Sequence, residues 1–231
     1  MWNAAAPTPA GTPPPSPVAT LSTMRDSDVR GLLLEHLHRL HVDEPDTRIV
    51  DELDLCNGAA RVDVAVLNGR LTGWEIKSPR DRLDRLPGQV TYYSKVCDEA
   101  WLVTDWTHLE AALGILPDWW GVLKIDVAAN GPVLVQYRAA AENPCVEPES
   151  VVRLLWRDET VALLNEHGAD MSRLSRANRA VLWAALVALL DSETLKDAVR
   201  DTIRARPEWR RSTRRPARGK GPAGIVVATV G

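Results

Sequence analysis

The sequence lacks several things that would narrow its chemistry. There is no phenylalanine, although nine Trp and three Tyr are present. Lysine is scarce, five against 23 Arg, which reads as a coding bias. Cys56, Cys97 and Cys145 form no CxxC or other metal-ligand spacing, and an odd count argues against a disulfide framework. Three reduced thiols are therefore expected. No apolar run approaches the roughly 18–20 residues that cross a bilayer. The first residues do not read as a basic segment followed by an apolar stretch, so no secretory signal is expected and a cytoplasmic, membrane-free protein is. GxGxxG, a Walker lysine loop and a GxSxG elbow are all missing, which leaves nucleotide cofactors and serine hydrolysis without support.

What is present is ordinary in bulk and uneven in detail. The 231 residues are 45% hydrophobic and 26% charged, with a net charge of −3, a globular composition. Yet the stretch from Arg204 to Lys220 carries eight basic residues and one acid, a local +7, so the remainder carries −10. That basic stretch is a candidate phosphate contact, because counterion release needs charge more than fold. Residues 1–22 are a Pro/Ala/Thr/Ser tract expected to stay extended or disordered. Residues 207–231 are read as a basic flexible tail.

Between these ends the pattern is mixed α/β and then helical. A helix is expected over 26–41, capped by Asp26 or Ser27, with Val29, Leu33, Leu37 and Leu40 as its stripe. Strands follow over 48–55, 61–67 and 70–78, then a helix over 87–97 and a strand over 100–104. A short helix over 108–113 precedes a hairpin of strands 122–127 and 132–137. Residues 144–206 read as three helices: one from 149 to about His167, one over 175–190, and one after Ser192. Arg173, Arg176 and Arg179 suggest a basic stripe on the second of these. The apolar run that follows makes the region a packing, lid or dimerisation element, so a homodimer is among the partners considered.

The informative segment runs from Arg61 to Lys77. A two-residue loop at Asn68-Gly69 would bury Glu75 among valines. A three-residue loop, Leu67-Asn68-Gly69, pairs Val66 with Arg70 and gives Gly69 the left-handed position. Val62, Val64, Val66, Trp74 and Ile76 then share an apolar face, and Asp63, Glu75 and Lys77 share the other. Two adjacent carboxylates raise each other's pKa unless a cation lies between them. Mg²⁺ or Mn²⁺ suits such hard oxygen ligands, with the Ile76 carbonyl as a further donor, and Lys77 would place a water. A solvated Asp–Glu–Lys ion-pair face explains the same residues equally well.

Asp63…Glu75-Ile76-Lys77, on consecutive strands after a helix, resembles the PD-(D/E)XK nuclease superfamily, and Gln89…Tyr93 resembles the Gln-x-x-x-Tyr motif of several of its branches. Residues 25–206 are similar to an uncharacterised bacterial family of nuclease-like proteins also found with phage and mobile elements. The resemblance implies a restriction-endonuclease-like αβββαβ core over 23–143, with a mixed sheet flanked by helices and a C-terminal helical appendage. It implies Mg²⁺-dependent hydrolysis of DNA, in repair or in defence against phage and mobile elements. The sites implied are Asp63 and Glu75 on the metal, Lys77 on the attacking water, and Gln89 and Tyr93 on the phosphate or that water. Val62 stands where the superfamily name has proline. A third carboxylate is sought at Glu52 on the preceding strand, or at Glu35 on the first helix, although Glu35 lies opposite the apolar stripe. The rivals are a catalytically weak nucleic-acid-binding accessory and a protein-interaction module on the same fold. Other features carry less. His38 and His41 have no evident third ligand. Trp119-Trp120 reads as cover for a core edge sooner than as a base-stacking platform.

Overall fold

The computed structural model describes residues 21–207. The elements, in chain order, are α1 (Asp26–Leu40), β1 (Arg48–Leu55), β2 (Ala60–Leu67), β3 (Leu71–Lys77), α2 (Leu86–Val96), β4 (Glu99–Thr104), α3 (Trp106–Leu113), β5 (Gly121–Ala128) and β6 (Gly131–Arg138). The helices α4 (Pro148–Val151), α5 (Arg157–Glu166), α6 (Met171–Leu174), α7 (Arg179–Leu189) and α8 (Ser192–Arg204) follow. The six strands form one sheet in sequence order. β1, β2 and β3 run antiparallel, β3, β4 and β5 are parallel, and β6 returns antiparallel. The fold is thus α/β, a mixed sheet with helices on both faces.

Among the described residues, α1, with Leu21 and Met24 just before it, covers one face. Its buried Val29, Leu33 and Leu37 meet Val64, Val66, Trp74, Ile76, Val103 and Leu123. Leu40, at the end of the expected stripe, is 58% exposed. The N-cap is Arg25, one residue before the expected cap, and Asp28 reaches back to accept its N–H at 2.9 Å. The opposite face carries the larger core, in which the sheet, α2 and the C-terminal helices share one apolar cluster. Asp98, at the start of β4, joins them. It accepts from the Leu71 N–H at 2.7 Å and from Arg200 of α8 at 2.8 Å.

The C-terminal region is more broken than its periodicity suggests. The helix expected from 149 to 167 is interrupted at Leu155 and Trp156, both extended. Glu159 accepts the Trp156 N–H at 2.7 Å and restarts the helix as α5. Asn178 caps α7 by accepting from the Val181 N–H, so the expected 175–190 helix starts later. Arg173 lies on α6, Arg176 in the turn, and Arg179 opens α7, so the basic stripe does not form on one helix. Trp119 and Trp120 are buried, with Trp120 packed 5.2 Å from the Tyr93 ring, as cover for the core. Arg204 pairs with Asp201, and Arg206 is buried against Glu159 and the Leu154 carbonyl. Two residues of the basic stretch are therefore consumed by the fold. The rest of it, and the Pro-rich tract up to residue 20, lie outside the described residues.

The β2–β3 hairpin decides the site. Its loop is Asn68-Gly69-Arg70, with Leu67 opposite Leu71 and Val64 opposite Trp74. Gly69 has φ 88°, the left-handed position expected of it. The register is two residues away from the Val66–Arg70 pairing that patterning suggests. A shift of two preserves face parity, so Trp74 and Ile76 do lie with Val64 and Val66. Val62 does not, and joins the opposite core. Alternation resets where Glu52 and Asp63 stand opposite each other, and Glu52 takes φ 57° there. On β1 the same reset leaves Val50 and Leu53 on one face.

Gly73 lies beneath α2, where a Cβ would come within 2.8 Å of Cys97 Sγ and 3.0 Å of the Tyr93 ring. Gly31, mid-helix in α1, has nothing within 4 Å of such an atom. Gly73→Ala should lower stability by about 1–3 kcal/mol, whereas Gly31→Ala should raise it by about 0.5–1 kcal/mol. Urea unfolding of both variants measures the contrast.

Candidate functional site

Glu75 is the centre of the site. It sits in mid-β3 on the α2 face and is 1% exposed. Its Oε1 accepts from Lys77 Nζ at 2.6 Å and from Gln89 Nε2 at 2.6 Å. Its Oε2 accepts from the Tyr93 hydroxyl at 2.7 Å. Lys77 Nζ also donates to Gln89 Oε1 at 3.0 Å. Residues two apart on a strand share a face, and residues four apart on a helix share a face. The Glu75/Lys77 and Gln89/Tyr93 spacings therefore meet face to face. Ser78 fixes the connecting loop, its N–H and hydroxyl both donating to Asp81 at 2.7 Å.

Asp63 joins this set differently from the shared face expected of it. Continuing the register one step past Val64–Trp74 sets Asp63 level with Glu75. Its carboxylate lies in the seam between the strands, where Oδ2 accepts from the Ile76 N–H at 2.8 Å. Arg30 reaches it from α1, on the opposite face, donating to Oδ1 at 3.2 Å and to the Asp63 carbonyl at 2.5 Å. The break in alternation explains this placement, since the seam has no regular ladder partner for the Ile76 N–H. A strand residue's N–H and C=O point to the same side, so the Ile76 carbonyl also faces Asp63.

The two further carboxylates do not join. Glu52 stands opposite Asp63, but its positive φ turns the side chain outward, where it pairs with Arg61 at 3.3 Å. Glu35 is exposed on α1. The sequence gives no sign of Arg30's role beyond Asp26 one turn before it, an ordinary helix-surface spacing. His38 bonds to the Leu34 carbonyl and His41 to Glu44.

Burial governs the electrostatics. It pushes the Glu75 carboxyl up to about 7, the Asp63 charge adds to this, and Lys77 and the Tyr93 hydroxyl offset only part. Asp63 is also raised, again mainly by burial, against the Ile76 N–H and Arg30. The Tyr93 phenol is driven well up by burial and by Glu75. Two carboxylates and a carbonyl are hard oxygen donors of the kind that hold a largely hydrated Mg²⁺. Among the described residues no group of three or more His, Cys, Asp or Glu side chains is placed to hold a metal. Water would have to fill most of the coordination shell.

Two measurements follow. Tyr93→Phe removes a hydrogen bond to ionised Glu75, so the Glu75 carboxyl should titrate above about 7 in carboxyl NMR. The folded pKa of Glu75 exceeds its ordinary value of 4.5. Its contribution to stability is therefore complete below about 4.5 and is lost as pH rises through about 7. Relative to Glu75→Gln, the wild type should lose up to about 3 kcal/mol of unfolding free energy across that window, measured by denaturant titration at stepped pH.

Comparison with known proteins places the chain. Protein cII of Enterobacteria phage P4 is 32% identical over 80 residues, which are 35% of this chain. The matched segment spans 30% of that phage protein's own length. A protein of unknown function from Silicibacter pomeroyi shares 22% identity, with a TM-score of 0.38 over 68% of this chain and 98% of its own. The family described as bacteriophage P4 protein cII matches residues 20–215, a span that takes in the sheet, the Glu75 site and every helix among the described residues. The chain belongs to the bacteriophage P4 protein cII family.

Proposed function

We propose that the chain is a metal-dependent nuclease on a restriction-endonuclease-like core, hydrolysing DNA phosphodiester bonds. One observation carries the reading: of the residues that the resemblance picks out, Glu75, Lys77, Gln89 and Tyr93 share one hydrogen-bonded cluster, and Asp63 lies in the strand seam beside it, accepting from the Ile76 N–H. The element order α1-β1-β2-β3-α2-β4 agrees with the αβββαβ pattern.

In this reading Asp63, Glu75 and the Ile76 carbonyl hold Mg²⁺ or Mn²⁺. The bound ion supplies Lewis-acid stabilisation of the phosphate and acidifies a water. Gln89 and Tyr93 orient the Glu75 carboxylate by their hydrogen bonds. Lys77, fixed between Glu75 and Gln89, provides the cation that orients the attacking water and offsets charge developing on the phosphate. Water adds to phosphorus and gives up a proton to solvent, the ester P–O bond breaks in line, and the departing oxygen takes a proton back from solvent. Arg30 holds Asp63 at the seam.

The burial of Glu75 and Lys77, 1% and 3% exposed, favours a second reading. With every Glu75 oxygen already hydrogen-bonded, the cluster also works as a polar lock between α2 and the sheet, on a nucleic-acid-binding accessory without useful turnover.

Labelled single- and double-stranded DNA, incubated with the purified protein and Mg²⁺, Mn²⁺ or EDTA, separates the two. The nuclease cleaves only with metal, and Lys77→Ala or Asp63→Asn lowers the rate by about 10²-fold or more. Binding without cleavage in every condition assigns the accessory role.

A further inference from the structure

The α1 face of the sheet holds a cavity of about 420 Å³. That size lies within the ~300–1,000 Å³ usual for small-molecule sites. His36 and Leu40, one turn apart on α1, line one side of it, and side chains of the sheet line the other. Two indoles line it together. Trp74 and Trp101 stand opposite each other in the β3–β4 register, and their rings stack at 5.1 Å with 13° between the planes. Gly121, opposite Trp101 on β5, makes room for this, because a Cβ there would come within 2.3 Å of the Trp101 ring. The Trp101 ring thus takes the space that a side chain at 121 would fill.

The polar groups of the cavity select its occupant. Trp74 is 4% exposed, and its indole Nε1 is buried with no hydrogen-bond partner. A buried indole N–H normally finds an acceptor, so this one calls for an acceptor on a ligand. Gln136, opposite Leu123 in the β5–β6 register, and Thr72, on the same side of β3 as Trp74, add an amide and a hydroxyl. Burial, with Arg39 and His41 nearby, lowers the His36 pKa, so its imidazole is neutral at pH 7. The charges around the cavity are already matched. Among the described residues that line it, Arg70 is the one guanidinium and Glu99 the one carboxylate, and the two pair with each other. His41 and Asn68 are both bonded to Glu44. What is left is a flat indole surface, an unmet N–H donor and uncharged hydrogen-bonding groups. An anion would find no unpaired guanidinium there, and an aliphatic ligand would leave the Trp74 N–H unmet.

We propose that this cavity binds a neutral, planar heteroaromatic ring of the nucleobase class, stacked on Trp101 alongside Trp74, with the ring edge accepting from Trp74 Nε1. Every nucleobase has a π-face that stacks on an indole, and the Gln136 amide offers the ring edge both a donor and an acceptor. A free nucleoside and a base of a nucleic-acid strand present the same ring. The cavity is separate from the Glu75 site, because Trp74 and Glu75 are consecutive on β3 and face opposite sides of the sheet. The assignment stands whether or not the protein cleaves DNA.

The test uses the full chain. Adenosine and guanosine are titrated by calorimetry while the Trp74 indole N–H is followed by NMR, and that resonance shifts on binding. Trp101→Leu, which removes the stacking surface, weakens binding about ten-fold or more. Trp74→Phe, which keeps a ring and removes the N–H, and Gln136→Ala, on the edge strand β6, each weaken it several-fold with the circular dichroism of the fold unchanged. A short single-stranded oligonucleotide is the second probe. If it alone binds and shifts the Trp74 N–H, the ring belongs to a strand and not to a free nucleoside. Asp63→Asn leaves nucleoside binding unchanged, so failure of the nuclease reading and failure of this one are read separately. If neither the nucleosides nor the oligonucleotide shifts the Trp74 N–H, or if all three cavity variants bind as the wild type does, the proposal is overturned.

Discussion

A carboxylate withdrawn from water must find donors or take up a proton, and Glu75 organises the molecule around that requirement. Its three donors come from two elements, β3 and α2, so the helix cannot slide or roll on the sheet without unmaking a buried hydrogen bond. Gly73 makes the arrangement feasible. Without a side chain there, the Tyr93 ring settles against the strand, and its hydroxyl arrives at Glu75 Oε2. Trp120 then packs on Tyr93, and the larger apolar core extends from this point. Burial keeps the Glu75 carboxyl near 7 despite an ammonium at 2.6 Å. Desolvation, not pair attraction, is thus the dominant electrostatic fact of the site.

The two faces of the sheet are held by different means. α1 binds through an almost purely apolar stripe, with Arg30 as its one link to the site. The C-terminal helices bind through apolar packing together with the Asp98–Arg200 pair, and the Arg206–Glu159 pair ties them to one another. Arg206 also lies 4.2 Å over the Trp156 ring, which covers a half-exposed indole at the restart of α5. On that face the sheet and the C-terminal helices consequently share one hydrophobic core.

The strands and the motif spacing could be read from sequence because both follow short periods. β1 begins and ends where alternation places it, at Arg48 and Leu55, and the Gln89/Tyr93 pair needs only one turn of helix. What could not be read depends on breaks in those periods. The reset at Glu52 and Asp63 moves Val62 to the other core, and no local residue type announces it, since neither position is glycine. Arg30 reaches Asp63 across 33 residues, a contact set by how α1 lies on the sheet. The division of the 149–167 helix was legible in principle: Glu159 three residues after Trp156 is a capping signal, and the apolar run around it obscured it.

The hairpin register has a consequence for how this site tolerates change. Pattern and structure disagree by two residues at the Asn68–Arg70 turn, yet Glu75 and Lys77 keep the same face. Face identity depends on whether the shift is odd or even, while alignment depends on its size. An even slip in register leaves every charged side chain on its own side and merely slides Asp63 along β3. An odd slip turns the whole of one strand inside out. The two strands are therefore free to slide past each other only in steps of two residues, and the present step is the one that brings Asp63 to the Ile76 N–H, next to Glu75.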